Sequence, residues 1–275
     1  MISKELQKDT ISFIHANGFP PDSYRNILNK LSENQKIDNF LLRPLWKKET
    51  DHREIKDWNI FCDDYESYLN KYRNKVIGLG HSIGGNIVLH TAIKKPDLFS
   101  KIILLDPTLY SPKMIFIWKI INFFNMQHRF LNLSRNTEKK TMIYNSKNEI
   151  FEKYRSKKIF KNINDDILMN YISSITNIKS NKVEITYCNK WEKQIYDKGL
   201  LKDNYIWKNI KSLSIPCLII YVENSNAFPK ESIDKIKKIN KNIQFRSLKD
   251  LTHLFPLENP KNTTKLIIEF INKSH

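Results

Sequence analysis

The sequence predicts an α/β architecture: a mostly parallel central sheet with helices on both faces and an inserted helical cap. Three observations carry this. Short apolar runs alternate with stretches of helical periodicity, the pattern left by parallel strands joined through crossover helices. That alternation breaks once, across residues 107–212, where no strand–helix unit repeats. Four of the chain's six glycines crowd into Gly78-Leu-Gly-His-Ser-Ile-Gly-Gly85, between a strand pattern and a helix pattern.

In chain order, apolar runs predict strands over residues 11–15, 37–42, 76–80, 102–105, 217–222 and 243–245. Helical periodicity predicts helices over residues 23–31, 58–72, 83–94, 230–239 and 262–271, with Pro96 closing one and Pro260 preceding another. The break between Pro107 and Leu213 is mostly helical in pattern and rich in aromatics and lysine. About 105 residues cannot be a structureless loop inside a compact domain. The segment therefore reads as a cap over the carboxyl edge of the sheet, where ligands bind in open α/β folds. This divides the chain into a core of residues 1–106 and 213–275 and a cap (lid) of residues 107–212. Within the cap, Met114 to Phe124 gives one helix wide apolar faces, which would either roof an apolar pocket or pack the cap onto the core. The aromatics from Ile185 to Tyr196 would line a site entrance or fill core.

Composition narrows the function classes. At 275 residues and 40% hydrophobic, the chain can build a substantial core. No run reaches the roughly 20 apolar residues of a membrane span, and Met1 to Lys8 lacks the apolar centre of a signal peptide. Cys62, Cys188 and Cys217 have no metal-binding or disulfide spacing, which fits a reducing, cytoplasmic compartment without a structural metal. The net charge of +17 is spread along the chain with no nucleic-acid-binding motif, so it reads as a solvated surface. No specific nucleic-acid partner is expected; affinity for anionic surfaces would be a side effect of the charge.

The glycine cluster contains G-x-S-x-G, as Gly80-His81-Ser82-Ile83-Gly84. A strand pattern precedes it and a helix pattern follows, the context in which a tight turn aims a serine hydroxyl out of a sheet. The turn strains the serine backbone and requires small residues two before and two after it. It also sets Ser82 at a helix N-terminus, where developing negative charge is favoured. A phosphate-binding turn is excluded, since neither G-K-[ST] nor G-x-G-x-x-G is present. Ser82 is thus the candidate nucleophile.

A serine hydroxyl needs a base, and seven histidines are available. His275 is terminal, His52 and His128 fall in polar segments, His90 lies within the helix after Ser82, and His81 is expected to point to the other side of the turn. His253 remains, in Leu251-Thr-His-Leu-Phe-Pro-Leu-Glu-Asn-Pro260, after the last strand and before the last helix, where it can reach across to Ser82. Stabilising an oxyanion takes two backbone N–H groups. Ile83, following the nucleophile, supplies one; the loop His15-Ala-Asn-Gly-Phe-Pro20 supplies the other, with Asn17 the first choice and Phe19 the second. His15 is expected to order that loop through hydrogen bonds.

With these residues in place, the chain resembles the α/β-hydrolase superfamily over nearly its whole length. The segments that carry the resemblance are His15-Ala-Asn-Gly-Phe-Pro, Gly80-His-Ser-Ile-Gly-Gly, Leu104-Leu-Asp-Pro107, Ile215-Pro-Cys-Leu-Ile-Ile220 and His253-Leu-Phe-Pro-Leu-Glu258. It is similar to bacterial α/β-fold hydrolases with a helical cap after the sixth strand. The resemblance implies an α/β-hydrolase fold in which the first antiparallel hairpin is missing or reduced. It also implies a triad acid, often an Asp after the seventh strand; here that slot holds Asn226, with Glu223 nearby. Other members carry the acid after the sixth strand, where this chain has Asp106, the first choice. The implied activity is that of a cofactor-independent serine hydrolase forming an acyl-enzyme on Ser82. It would be a carboxylesterase or lipase-like enzyme acting on a hydrophobic small-molecule ester, the apolar cap favouring esters over peptides. A non-catalytic ligand-binding receptor or an acyltransferase on the same fold is the alternative.

Overall fold

Residues 9–47, 50–124, 126, 132–199 and 204–273 are described by the computed structural model; Met1 to Lys8, His128 and His275 lie outside the described residues. Each predicted strand forms. β1 (Thr10–Ile14), β2 (Lys36–Phe40), β3 (Val76–His81), β4 (Phe99–Leu105), β8 (Cys217–Val222) and β9 (Ile243–Leu248) make one sheet in the order β2-β1-β3-β4-β8-β9. Every pairing in it is parallel, which explains why the strands read as continuous apolar runs: both faces are covered.

Alternate residues of each strand enter different cores. Phe13, Leu79, Ile103 and Leu218 face one layer, packed against α1 (Arg25–Ser32) and the C-terminal helix Pro260–Ile271 through Ile27, Leu31, Ile267 and Phe270. Val76, Ile102, Leu104 and Ile219 face the other, against α2 (Asn59–Leu69), α3 (Ile83–Lys94) and the helix Lys230–Ile239. Leu79 and Leu104 are fully buried, so truncating either to Ala costs roughly 2–5 kcal/mol. The sheet therefore holds the ends of its strands, and whatever side chains stand there, on a rigid base.

Between β4 and β8 the chain forms α4 (Pro112–Phe123) and shorter helices at Asn132–Glu138, Lys147–Arg155, Asp165–Ser174, Asn189–Lys198 and Asn204–Asn209. The segment is not purely helical. It also holds a three-stranded antiparallel sheet, β5 (Ile143–Tyr144), β6 (Thr176–Lys179) and β7 (Lys182–Ile185), in the order β5-β7-β6. The β6–β7 hairpin turns on Ser180 and Asn181, both at positive φ (47° and 57°). A two-residue turn of this hand usually announces itself with glycine. This one has none, and its strands are short and lysine-bearing, so the hairpin leaves no legible pattern. Hydrogen bonding to the core continues past Asp106: its N–H donates to Ile220 O at 2.7 Å, Thr108 N–H to Ser82 O at 3.0 Å and Leu109 N–H to Ala227 O at 3.0 Å. On α4 only Ile115 and Trp118 are buried, so one face of the helix packs inward and its outer face stays unexplained. Among the described residues no helix is long and apolar enough to cross a membrane.

Candidate active site

Ser82 stands between β3 and α3 at φ 57°, ψ −119°, a backbone conformation that L residues rarely adopt. The surroundings enforce it. A Cβ added at Gly80 would lie 2.3 Å from Gly84 O, and one added at Gly84 would lie 2.3 Å from Ile14 O. Strand end and helix start therefore touch backbone to backbone, and only glycine fits at either position. Ser82 N–H donates to Leu105 O at 3.0 Å, fastening the turn to β4. Asn86 N–H closes the first turn of α3 on Ser82 O, so the Ile83 amide, one residue past the serine, has no acceptor within its own helix.

His253 lies beside the turn, its Nε2 2.9 Å from Ser82 Oγ. Its Nδ1 is 2.6 Å from Asp106 Oδ2. Asp106 is fully buried at the end of β4 with φ 40°, and its Oδ2 also accepts a hydrogen bond from the Ser225 hydroxyl. Ser225 Oγ in turn accepts from the Ala227 and Phe228 amides, so the loop after β8 braces the carboxylate without supplying one. Glu223 and Asn226, the other acid candidates, are both exposed. The structure thus brings Ser82, His253 and Asp106 together and leaves those two outside.

Three further side chains stand near Ser82, and two of them, Thr108 and Tyr24, left no signal in the sequence. Thr108 Oγ1 is 3.1 Å from Ser82 Oγ, offering the hydroxyl a second partner. Tyr24 accepts from the Ala16 amide at 3.3 Å, and its hydroxyl lies 2.7 Å from His81 Nδ1. His81 Nε2 lies 2.9 Å from His253 O. One arrangement of hydrogens satisfies this chain: Tyr24 O–H donates to Nδ1, and Nε2–H donates to the His253 carbonyl. Burial, with the His253 imidazole beside it, holds His81 well below the usual histidine range. His81 was expected to point away from the site; instead its ring lies 4.9 Å from that of His253 and holds the backbone of that residue.

The loop at residues 15–20 is ordered from both sides. His15 is fully buried, with Nδ1 2.8 Å from Ala16 O and Nε2 accepting from Leu42 N–H at 3.2 Å. Burial lowers its pKa to about 4, opposed by the Ala16 carbonyl. Gly18 sits at φ 78°. The insertion grips the loop: Tyr187 donates to Asn17 Oδ1 at 3.0 Å, Asn17 Nδ2 donates to Glu192 O at 3.0 Å, and Tyr171 donates to Gly18 O at 3.3 Å. The Glu192 carboxylate pairs with Lys140 at 3.0 Å, both side chains mostly buried. Of the backbone donors, Ala16 N–H goes to Tyr24 and Phe19 N–H to Ala16 O. Asn17 N–H is paired with no acceptor among the described residues. Phe19, the second-choice donor, has spent its amide on the turn and stacks its ring on Tyr171 at 4.6 Å. Among the aromatics of residues 185–196, Trp191 fills core with Trp58 and Phe61, whereas Tyr187 is buried as a clamp on Asn17.

Comparison with known proteins follows the same lines. A model of the alpha/beta hydrolase fold matches residues 50–260. The chain is 29% identical over 119 residues to the type I acyl-CoA thioesterase mpaH' of Penicillium brevicompactum, a match covering 37% of this chain and 27% of that protein. The chain therefore spans about a quarter of the length of that relative. It is 23% identical over 269 residues to the hydrolase YugF of Bacillus subtilis (strain 168), covering 96% of this chain and 90% of the relative. Among solved structures it resembles E-2-(acetamidomethylene)succinate hydrolase, with a TM-score of 0.80 at 16% identity over 97% of this chain and 92% of that one.

Proposed function

The chain belongs to the alpha/beta hydrolase fold family, and from that premise we propose that it is a serine hydrolase that forms an acyl-enzyme on Ser82. The observation that carries the reading is the continuous relay from Ser82 Oγ through His253 to the buried Asp106 carboxylate, at 2.9 and 2.6 Å. In this reading His253 Nε2 takes the Ser82 proton as Oγ adds to the substrate carbonyl. Asp106 holds Nδ1–H and offsets the imidazolium charge. The Ile83 and Asn17 amides receive the oxyanion, supported by their lack of other acceptors. Collapse of the adduct expels the alcohol, protonated by His253 Nε2–H, and leaves the acyl group on Ser82. Water, deprotonated by the same nitrogen, then attacks the acyl carbon and releases the acid. No cofactor enters these steps.

A hydrophobic carboxylic ester is the proposed substrate class, supported by the buried aromatic cluster of Tyr171, Phe160 and Tyr154 on which Phe19 of the loop packs. A cytoplasmic setting is part of the proposal and rests on the free thiols Cys62, Cys188 and Cys217.

A fluorophosphonate probe tests the chemistry: it should label wild type and leave Ser82→Ala unmodified. A wild-type chain that stays unlabelled and inert toward p-nitrophenyl esters would return the fold to a non-catalytic binding role. Asp106→Asn should lower kcat by about 10³–10⁴-fold, while Glu223→Gln and Asn226→Ala leave it near wild type; the reverse pattern would displace Asp106 as the acid. A panel of oxygen and thiol esters of rising acyl length would then define the leaving group and chain length.

A further inference from the structure

α4 begins after Ser111, whose hydroxyl accepts from Met114 N–H, with Pro112 in its first turn. Such a helix normally hides its apolar stripe and shows its polar one. Here Ile115 and Trp118 are buried, yet Phe116 is 65% exposed, Ile117 46%, Ile120 45%, Phe123 79% and Phe124 63%. These five positions recur at helical spacing and form one outward stripe. Among the described residues, six of the eleven large apolar side chains left exposed fall between Met114 and Phe124. Single exposed leucines or phenylalanines need no explanation, but a contiguous stripe built on three phenylalanines marks a surface that is covered in use.

Charge identifies the partner. α4 carries no acidic residue, with Lys113 at the head of the stripe and Lys119 along its edge. Lys119 also lines an open cleft of about 420 Å³ with Lys94, Lys208 and Asp63. Lys94 is paired to Asp63 and Glu66; Lys119 and Lys208 complete the basic margin of the cleft. A second copy of the chain would bring another net charge of +17 to the contact, which repels. An anionic bilayer accepts both parts of the surface: lysines reach lipid phosphates while phenyl rings enter the acyl boundary. At 12 residues the helix is about 18 Å long, enough to lie in the plane of the interface and too short to span it.

We propose that α4 is an interfacial helix that docks the protein on an anionic phospholipid surface. The proposal stands apart from the hydrolase reading, because neither the stripe nor the lysines belong to the relay at Ser82. Flotation of the full chain with vesicles tests it, comparing phosphatidylcholine alone with phosphatidylcholine carrying about 30% phosphatidylserine at about 0.1 M salt. The expected result is at least about tenfold more protein on the anionic vesicles, falling by a similar factor in Phe116→Ser/Phe123→Ser/Phe124→Ser. That variant should keep its thermal transition and its turnover of a soluble ester, since the substituted side chains are exposed. Equal capture on both vesicle types, or undiminished capture of the triple variant, overturns the proposal. So does a dimer in analytical ultracentrifugation that the triple variant converts to monomer while vesicle binding is unmoved, which would make the stripe a contact between copies.

Discussion

The turn at residues 80–84 and the loop at residues 15–20 flank the same serine, yet they are held by different physics. The turn is fixed by its own backbone: Gly80 and Gly84 leave no room for a Cβ, and the strained Ser82 follows from that contact. The loop is fixed by side chains from far along the chain, with Tyr187 on Asn17 and Tyr171 on Gly18. In the proposed mechanism the nucleophile would then be placed through the core and the oxyanion donor through the insertion. On that reading, changes in the insertion should alter the reaction at a smaller cost in stability than changes in the turn.

Gly84→Ala gives the largest expected effect and would break the comparison if it were mild. A methyl 2.3 Å from the Ile14 carbonyl must push strand and helix apart, at about 3–5 kcal/mol. Urea denaturation should show that loss together with the loss of activity.

Acid comes next, because each region contains one buried neutral histidine. His15 titrates at about 4, and His81 well below the usual range, whereas both would titrate near 6.5 once unfolded. Below about pH 6.5 the unfolded chain binds the extra protons, so stability falls with pH, by about 1.4 kcal/mol per pH unit for each histidine until its folded-state pKa is reached. Urea midpoints at pH 7 and pH 5 check this. His15→Gln and His81→Gln should each flatten the slope separately, and an unchanged slope in both would refute the assignment.

Tyr187→Phe sharpens the contrast at smaller cost. It removes the hydroxyl that holds Asn17 Oδ1 and should cost about 1–2 kcal/mol of stability. If the insertion does orient the oxyanion donor, kcat should fall about tenfold with KM little changed. Gly18→Ala is the smallest: its φ of 78° and the Glu192 carboxylate 3.2 Å from the new Cβ should cost about 1 kcal/mol. A destabilisation equal to that of Gly84→Ala would show that both regions are held in the same way.

This division also explains what could be read in advance. The six strands, the glycine-bounded turn and His253 are written in adjacent residues, as apolar runs or fixed spacings. The clamp on Asn17 joins positions 170 residues apart, and nothing near Asn17 names Tyr187. The acid was undecided for a related reason. Asp106 and Glu223 both follow strands that pair in the sheet, and only the fold shows which loop reaches His253. Ser225 and Thr108 are ordinary residues made important by their neighbours, and His81 was misread because a turn's outward side can still face another loop.

Asp106, Thr108 and Leu109 are each bonded through their amides to the core, and Asn86 Nδ2 donates to Thr108 O at 2.7 Å. A chimera that exchanges the insertion at residue 107 would cut out Thr108 and Leu109, which fasten the turn at Ser82 and the loop after β8. A seam placed after Leu109 keeps them, so the same donor segment grafted at the two junctions should give a soluble, fluorophosphonate-reactive protein only at the later one.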